Sequence, residues 1–348
     1  MMPSIALAAP TVTESLDAAS WDGFVEQHPG ASGYHPFAWR AIFEEVFGHR
    51  SHYLSARRGE RVVGVLPFVE FRSRLFGRFG VSLPFVNQGG VVAEDDDVAR
   101  ALVERAIDVA RSRGLAHLEL RHEQRRFPNL ADKHHKVSMR LPLPETSDGL
   151  WNSLDRKARN QVRKSEKSGL AADVGGVELV GRFYGVFAEN MRDLGTPVYP
   201  RAFFEAVMTR FPDRARIHVV RLGDEVVASS LTIAWRNTVE VPWASSLRRH
   251  RDKSPNNLLY WSMLQQAVAD HRRVFDFGRS TPNEGTYHFK AQWGAQPGPM
   301  HWEYWLASGA MPDQSPANPK FQAAIAVWQR LPLWVTNRVG PRLVRNIP

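Results

Sequence analysis

The stretch from Asp276 to Gly294, DFGRSTPNEGTYHFKAQWG, carries an unusual density of polar and aromatic side chains. Asp276 closes a short apolar run of the kind that forms a buried strand. A turn-rich loop follows, and then come Tyr287, Phe289, Lys290 and Trp293. Loops that leave strand ends are where α/β folds place ligands. A fixed cation such as Lys290 can stabilise the oxyanion formed when an amine attacks a carbonyl. The same residues also suit a polar loop whose aromatic rings merely pack.

Three further stretches are candidates. The spacing of Trp151, Leu154, Ala158 and Val162 predicts one helix over Leu150 to Ser168, with Arg156, Arg159, Arg163 and Lys167 on another face. Such a stripe can grip phosphates through paired hydrogen bonds, or it can be a solvated face. In EVPWASS and NNLLYW, Trp243 and Tyr260 can wall a substrate channel near Asn256, although aromatic residues beside strands and helices more often belong to a core. In YHPFAW, His35 precedes Pro36 at an expected helix start, where capping or packing is the simpler role.

Other signals lead nowhere. Arg111 to Ala116 reads Arg-x-x-Gly-x-Ala, the pattern of coenzyme A loops in simple acetyltransferases, but it ends a helix instead of opening one, so Gly114 is read as a C-cap. The 13 histidines include no His-Glu-x-x-His set, and no metal is expected. With no cysteine, thiolate sites, disulfides and a cysteine nucleophile are excluded. Walker-type loops and Gly-x-Ser-x-Gly elbows are absent.

The elements that must position these residues come in a repeat. His52–Arg58, a Gly59-Glu60 turn and Arg61–Phe71 read as a hairpin, and Arg216–Leu222, Gly223-Asp224 and Glu225–Trp235 read as a second. A helix follows each, over Val98–Arg113 and Asn257–Arg272, and each helix leads to a strand holding an acid, AHLELR and VFDFG. Duplication of one α/β unit is the economical reading. The turn formers of PLPETSDG place a boundary at 145/146, and the proline-rich polar stretch 311–319 separates a tail.

That tail, Lys320 to Pro348, carries Lys320, Arg330, Arg338, Arg342 and Arg345 and no acid, interleaved with Trp328, Trp334 and aliphatic residues. Pro332 and Pro341 are expected to break it into short helices. It can dock on the protein body or attach peripherally to an anionic inner leaflet. No apolar run approaches the length of a membrane span, and the Ile5–Ala9 run lacks a basic flank, so a cytoplasmic location is expected. Basic residues exceed acidic ones, 45 to 36, which favours a polyanionic partner.

The runs RNQVRKSEKSGL and SPNNLLYW, and above all FDFGRSTPNEGTYHFKAQWGAQP, resemble the FemAB-type and related GNAT-like acyltransferases over roughly residues 20 to 308. Within them the resemblance is to the FemAB-like proteins of PEP-CTERM and exosortase systems. It implies an α/β fold of two tandem GNAT-like (acyl-CoA N-acyltransferase) domains, mixed central sheets flanked by helices. The expected divisions are 1–145, 146–310 with the active site, and 311–348 as linker and basic tail. It also implies amide-bond formation by direct attack of an amine on an activated acyl or aminoacyl donor. Carried over by motif, Lys290 is the cation at the reaction centre and Asp276 its catalytic partner. Arg279, Ser280 and Tyr287 surround them. Arg156, Arg159 and Arg163 would face the donor's phosphates, and Trp243, Asn256 and Tyr260 the substrate. The expected acceptor is an amine of a cell-envelope, peptidoglycan or exopolysaccharide precursor. The donor is acyl-CoA or aminoacyl-tRNA, with no tightly bound cofactor; the chain lacks the coiled-coil arm some relatives insert, which weighs against tRNA. Two alternatives stand beside this reading, an acyl-CoA-dependent GNAT N-acetyltransferase and a nonenzymatic binding or scaffold module.

Overall fold

The computed structural model describes residues 8–15, 17–73, 76–309, 311–312 and 319–347. Most of the Ile5–Ala9 run and of the proline-rich stretch 311–319 lies outside the described residues. The chain forms two compact units, the first running through Lys133 and resuming over His301–Pro312, the second holding His134–Met300 and Asp313–Ile347.

Unit 1 contains β1 (Thr11–Glu14), α1 (Ala18–Gln27), α2 (Ala38–Phe47), β2 (Arg50–Arg58), β3 (Arg61–Ser73), β4 (Gly77–Val81), β5 (Val92–Ala93), α3 (Asp96–Ser112), β6 (His117–His122) and β7 (Ala131–Lys133). Unit 2 follows with β8 (Val137–Pro142), α4 (Ser147–Ser153), α5 (Arg156–Lys167), β9 (Leu170–Gly175), α6 (Val180–Leu194), α7 (Arg201–Arg210), β10 (Ala215–Leu222) and β11 (Glu225–Trp235). It continues through β12 (Thr238–Ser246), α8 (Pro255–Ala269), β13 (Val274–Ser280), α9 (Gly285–Ala291) and β14 (Gln296–Pro299). The strand β15 (His301–Leu306) returns to unit 1, and α10 (Pro319–Trp328) and α11 (Leu333–Val344) complete unit 2.

The two sheets have one topology. Unit 1 orders its strands β1-β2-β3-β4-β6-β15-β7, with β5 beside β3, and unit 2 orders them β9-β10-β11-β12-β13-β8-β14. In each, a single parallel pair interrupts an otherwise antiparallel sheet, β4 with β6 and β12 with β13. The hairpins agree down to their irregularities. Ala56 opposes Gly64 and Arg57 opposes Val62, just as Val220 opposes Ala228 and Arg221 opposes Val226, so Val63 and Val227 are the same bulged residue. The repeat read from the sequence is therefore a repeat of fold.

The division at 133/134 differs from that expected at 145/146, and the reason is the sixth strand of each sheet. Unit 2 takes β8 from ahead of its own repeat, and unit 1 takes β15 from a segment that interrupts unit 2, between β14 and α10. A linear reading of a repeat does not reveal strands supplied from outside it.

In unit 2, α8 is buried on nearly every side and packs against β9, β10, β11 and α5. Its Leu258, Leu259, Met263 and Leu264 join Met139, Val220, Phe275 and Phe277 in one core. The single helix expected over Leu150–Ser168 is two helices. Asp155 accepts a hydrogen bond from Ala158 N at 2.7 Å and so caps α5, ending α4 at the extended Leu154. In the tail, Pro332 separates α10 from α11 as expected, whereas Pro341 lies inside α11.

Candidate functional site

The parallel pairing of β12 with β13 lasts three residues, ending at Glu240 opposite Asp276. Both strands then bulge. On β12, residues 240 to 243 span what 233 to 231 span on β11, and on β13, residues 276 to 279 span what 140 to 138 span on β8. An extra residue at the same level on neighbouring strands bends both and ends their pairing. The β13 bulge needs Gly278, whose φ is +72°. Asp276 closes it by accepting from Gly278 N at 2.8 Å.

Buried Asp276 also accepts from Ser138 Oγ at 2.9 and 2.8 Å and from Arg140 Nε at 2.9 Å. Its oxygens are engaged in holding the strand end. Lys290, on α9 and 7% exposed, donates from Nζ to Gly278 O at 3.0 Å and Arg279 O at 2.9 Å. Burial lowers its pKa to about 8, against the opposing pull of Asp276 and Glu240 and with a further push from Arg279. Lys136 donates to Thr281 Oγ1, and its pKa is lowered by burial and by Arg279. Lys136, Arg140, Arg279 and Lys290 thus gather at the end of β13. Lys136 and Arg140 sit on or beside β8, far from the motif in sequence, with no signal of their own to mark them.

Arg279 is exposed, whereas Ser280 is buried and its Oγ has no hydrogen-bond partner among the described residues. Tyr287 is half-buried and packs against the unit 2 core. Tyr260 stacks on Phe277 at 5.4 Å and meets Phe289 edge-on at 5.1 Å, which places it in the layer beneath α9; burial raises its pKa. Trp243 is elsewhere. The β12 bulge turns it to the other face of the sheet, where it meets Phe203 of α7 at 5.2 Å and Phe204 at 5.4 Å. Trp243 and Tyr260 therefore do not form one wall.

Asn256 is half-buried in the first turn of α8, while its neighbour Asn257 is buried with Nδ2 unpartnered among the described residues. Ser254, at φ +57°, opens α8; its Oγ donates to Gln161 Oε1 at 2.6 Å, and Ser165 Oγ donates to its carbonyl at 2.8 Å. Gln161 and Ser165 are thus the face of α5 that meets α8. Arg156, Arg159 and Arg163 lie on the opposite side, with Arg163 over the Trp151 ring at 5.4 Å. His35 is buried in unit 1, bonded to Ser32 N at 3.0 Å and Gly90 O at 3.0 Å, and burial lowers its pKa to about 4. Among the described residues no group of three acidic or histidine side chains is arranged to hold a metal.

Residues 155–291 match the family described as Acetyltransferase (GNAT) domain. The sheet that diverges after a short parallel pairing occurs twice in this chain, once in each unit. The fold is a tandem of GNAT-like domains. A solved structure of FemX resembles the chain at a TM-score of 0.65 and 16% identity, covering 84% of this chain and 96% of that one. A tandem GNAT protein from the clavulanic acid biosynthesis pathway scores 0.55 at 13% identity, over 87% and 99%. L-PGS from Bacillus licheniformis scores 0.56 at 11%, over 91% and 99%. The sequence matches no curated protein. The GNAT match supports acyl transfer as the chemistry of the second domain.

The two GNAT-like domains differ where it matters for a ligand. In unit 1 the level of Asp276 is taken by Glu119, buried and bonded to Arg121 Nε at 2.6 Å and Tyr304 OH at 2.6 Å. Arg121 donates to Val86 O at 2.7 Å, and Gly90 N donates to Arg121 O at 2.9 Å, so the loop after β4 lies across the strand end. The helices that follow differ as well. Asp95 caps α3, and Asp96 and Asp97 occupy its first turn. The first turn of α8 has no acid and no side-chain cap, and a basic 3-10 turn, Arg248–Lys253, leads into it.

Proposed function

We propose that unit 2 is the catalytic half of an N-acyltransferase that joins an acyl or aminoacyl group to an amine, with an acyl thioester of coenzyme A as donor. The observation that carries this reading is the parted end of β12 and β13, with buried Lys290 fixed beneath it and, beside it in sequence, a helix whose first turn has no acid and follows a turn of net positive charge. The amine nitrogen attacks the thioester carbonyl carbon and the π electrons pass to oxygen. Collapse of the adduct forms the amide and breaks the carbon–sulfur bond, and the proton lost by nitrogen ends on the departing thiolate. Lys290 commits two of its three protons to carbonyl groups and offers the third to the oxyanion. Asp276 is a positioning residue, since its oxygens hold Gly278, Ser138 and Arg140.

The donor's phosphates would rest at the start of α8, where the helix dipole favours negative charge, on Arg251 and on Arg248, whose Nη2 also donates to Asp193 O at 2.8 Å. Arg156, Arg159 and Arg163 extend the basic surface on the far side of α5, and this favours a second reading with a longer polyanionic donor, aminoacyl-tRNA. The acceptor proposed is an amine of a cell-envelope or exopolysaccharide precursor. That choice, and the link to PEP-CTERM and exosortase systems, rest on the sequence resemblance.

The test is mass spectrometry of ligands retained by the purified protein, followed by parallel assays with acetyl-CoA and charged tRNA and a panel of amines. Consumption of acetyl-CoA that requires an amine and is lost in Lys290→Ala is expected. Folded protein that neither retains nor consumes either donor would replace the enzyme with a binding module.

A further inference from the structure

The tail of unit 2 presents one face to its own domain and another to solvent. Thr336, Gly340 and Val344 recur every fourth residue along α11 and are buried. At Gly340 the fit is close: a Cβ there would lie 3.0 Å from both Val198 N and Val198 Cγ1. Gln329 Nε2 donates to Asp193 O at 3.1 Å, which ties the α10–α11 link to the end of α6. The tail is thus docked on unit 2, and its outward residues are fixed in direction.

Those outward residues are an unusual set. Trp334, Arg338, Arg342 and Arg345 follow one another at spacings of four, four and three, which puts them on one face of α11. Trp334 is 71% exposed, and Val327 on α10 is 62% exposed. Arg330, Arg338, Arg342 and Arg345 are exposed and form no ion pair among the described residues. On α10, exposed Ala323 and Ala324 lie four and three residues before Val327 and share its side of the helix.

We propose that this face docks on the surface of an anionic phospholipid bilayer. Trp and aliphatic side chains held outward beside arginines match a headgroup layer, in which the apolar groups enter the acyl boundary and the cations meet lipid phosphates. Nucleic acid would use the arginines and Trp334 but gains nothing from Val327 and its neighbouring alanines. A second copy of the chain meeting this face in a two-fold contact would bring arginine against arginine with no acid to offset them. Among the described residues no helix is long and apolar enough to cross a membrane, so the attachment is peripheral.

The experiment is co-sedimentation of the full-length protein with large unilamellar vesicles of phosphatidylcholine alone or with phosphatidylglycerol added. Binding to the anionic vesicles only, weakened by salt, is expected. R338Q/R342Q/R345Q should lower the partition coefficient by about a hundredfold, at roughly 1 kcal/mol per basic residue. W334S should lower it by about tenfold through lost apolar burial. Both variants change only outward positions, and far-UV circular dichroism checks that they fold. Equal binding to both vesicle types, or unchanged binding by the variants, overturns the proposal. Retention of RNA without vesicle binding, lost in R338Q/R342Q/R345Q, would make this a nucleic-acid surface instead. A dimer that W334S dissociates in sedimentation velocity, without vesicle binding, would make it a self-association face.

Discussion

Lys290 is under opposing influences. Burial favours the neutral amine, Asp276 and Glu240 favour the ammonium, and the outcome is a pKa of about 8. The group is therefore charged at neutral pH and loses its charge as pH rises through about 8. If the cation stabilises the oxyanion, kcat falls along an alkaline limb with that midpoint, and Lys290→Ala lowers kcat by about 10² to 10³ at neutral pH. A rate that Lys290→Ala leaves unchanged would remove this residue from the chemistry. Stability moves the other way. An unfolded lysine titrates near 10.5, so between about 8 and 10.5 the unfolded chain binds a proton the folded chain does not, and stability from this group rises with pH across that window. Lys290 was legible in the sequence because its neighbours in the motif are its neighbours in space. Ser138 and Arg140 were not, since they reach Asp276 across more than 130 positions on a strand that the repeat itself does not contain.

At the scale of elements, hairpins and helices were readable because their signals are local: alternating apolar residues, Gly turns and helical spacing. Bulges and caps decide finer matters. The β12 bulge carries Trp243 away from Tyr260, and Asp155 divides a run whose apolar spacing alone reads as one helix. The β13 bulge can be tested against a matched control. Gly278 has φ +72° and Gly223, in the β10–β11 turn, has φ +59° with nothing within 4 Å of an added Cβ. Alanine at either site forces a left-handed conformation and should cost about 1 to 2 kcal/mol, read as a lower urea midpoint. Only Gly278→Ala should also lower kcat, because Gly278 O is an acceptor for Lys290. Equal effects of the two variants on kcat would mean that the strand-end geometry does not serve catalysis.

For the whole molecule, one fold occurs twice, and the proposed reading assigns the anionic donor to only one copy. The repeat was visible in the sequence, and so were the charges, yet their meaning depends on alignment of the two domains, which places Asp95, Asp96 and Asp97 at the helix start equivalent to that preceded by the turn Arg248–Lys253, where five basic residues surround one acid, Asp252. A phosphate brought to α3 meets three carboxylates, one of which already occupies the Val98 N–H, whereas the first turn of α8 has no acid and no side-chain cap and lies after a turn of net positive charge. The loop after β4, bonded to Arg121, closes the matching strand end in unit 1 as well. Isothermal titration with coenzyme A should therefore give one site per chain. R248E/R251E should abolish that site, while substitutions at Asp96 and Asp97 should leave its affinity unchanged. The affinity should also decline with added salt, as exposed phosphate contacts are screened over about 10 Å at 0.1 M ionic strength. Two equivalent sites, or a single site that R248E/R251E leaves intact, would show that the charge difference between the helix starts does not select the donor.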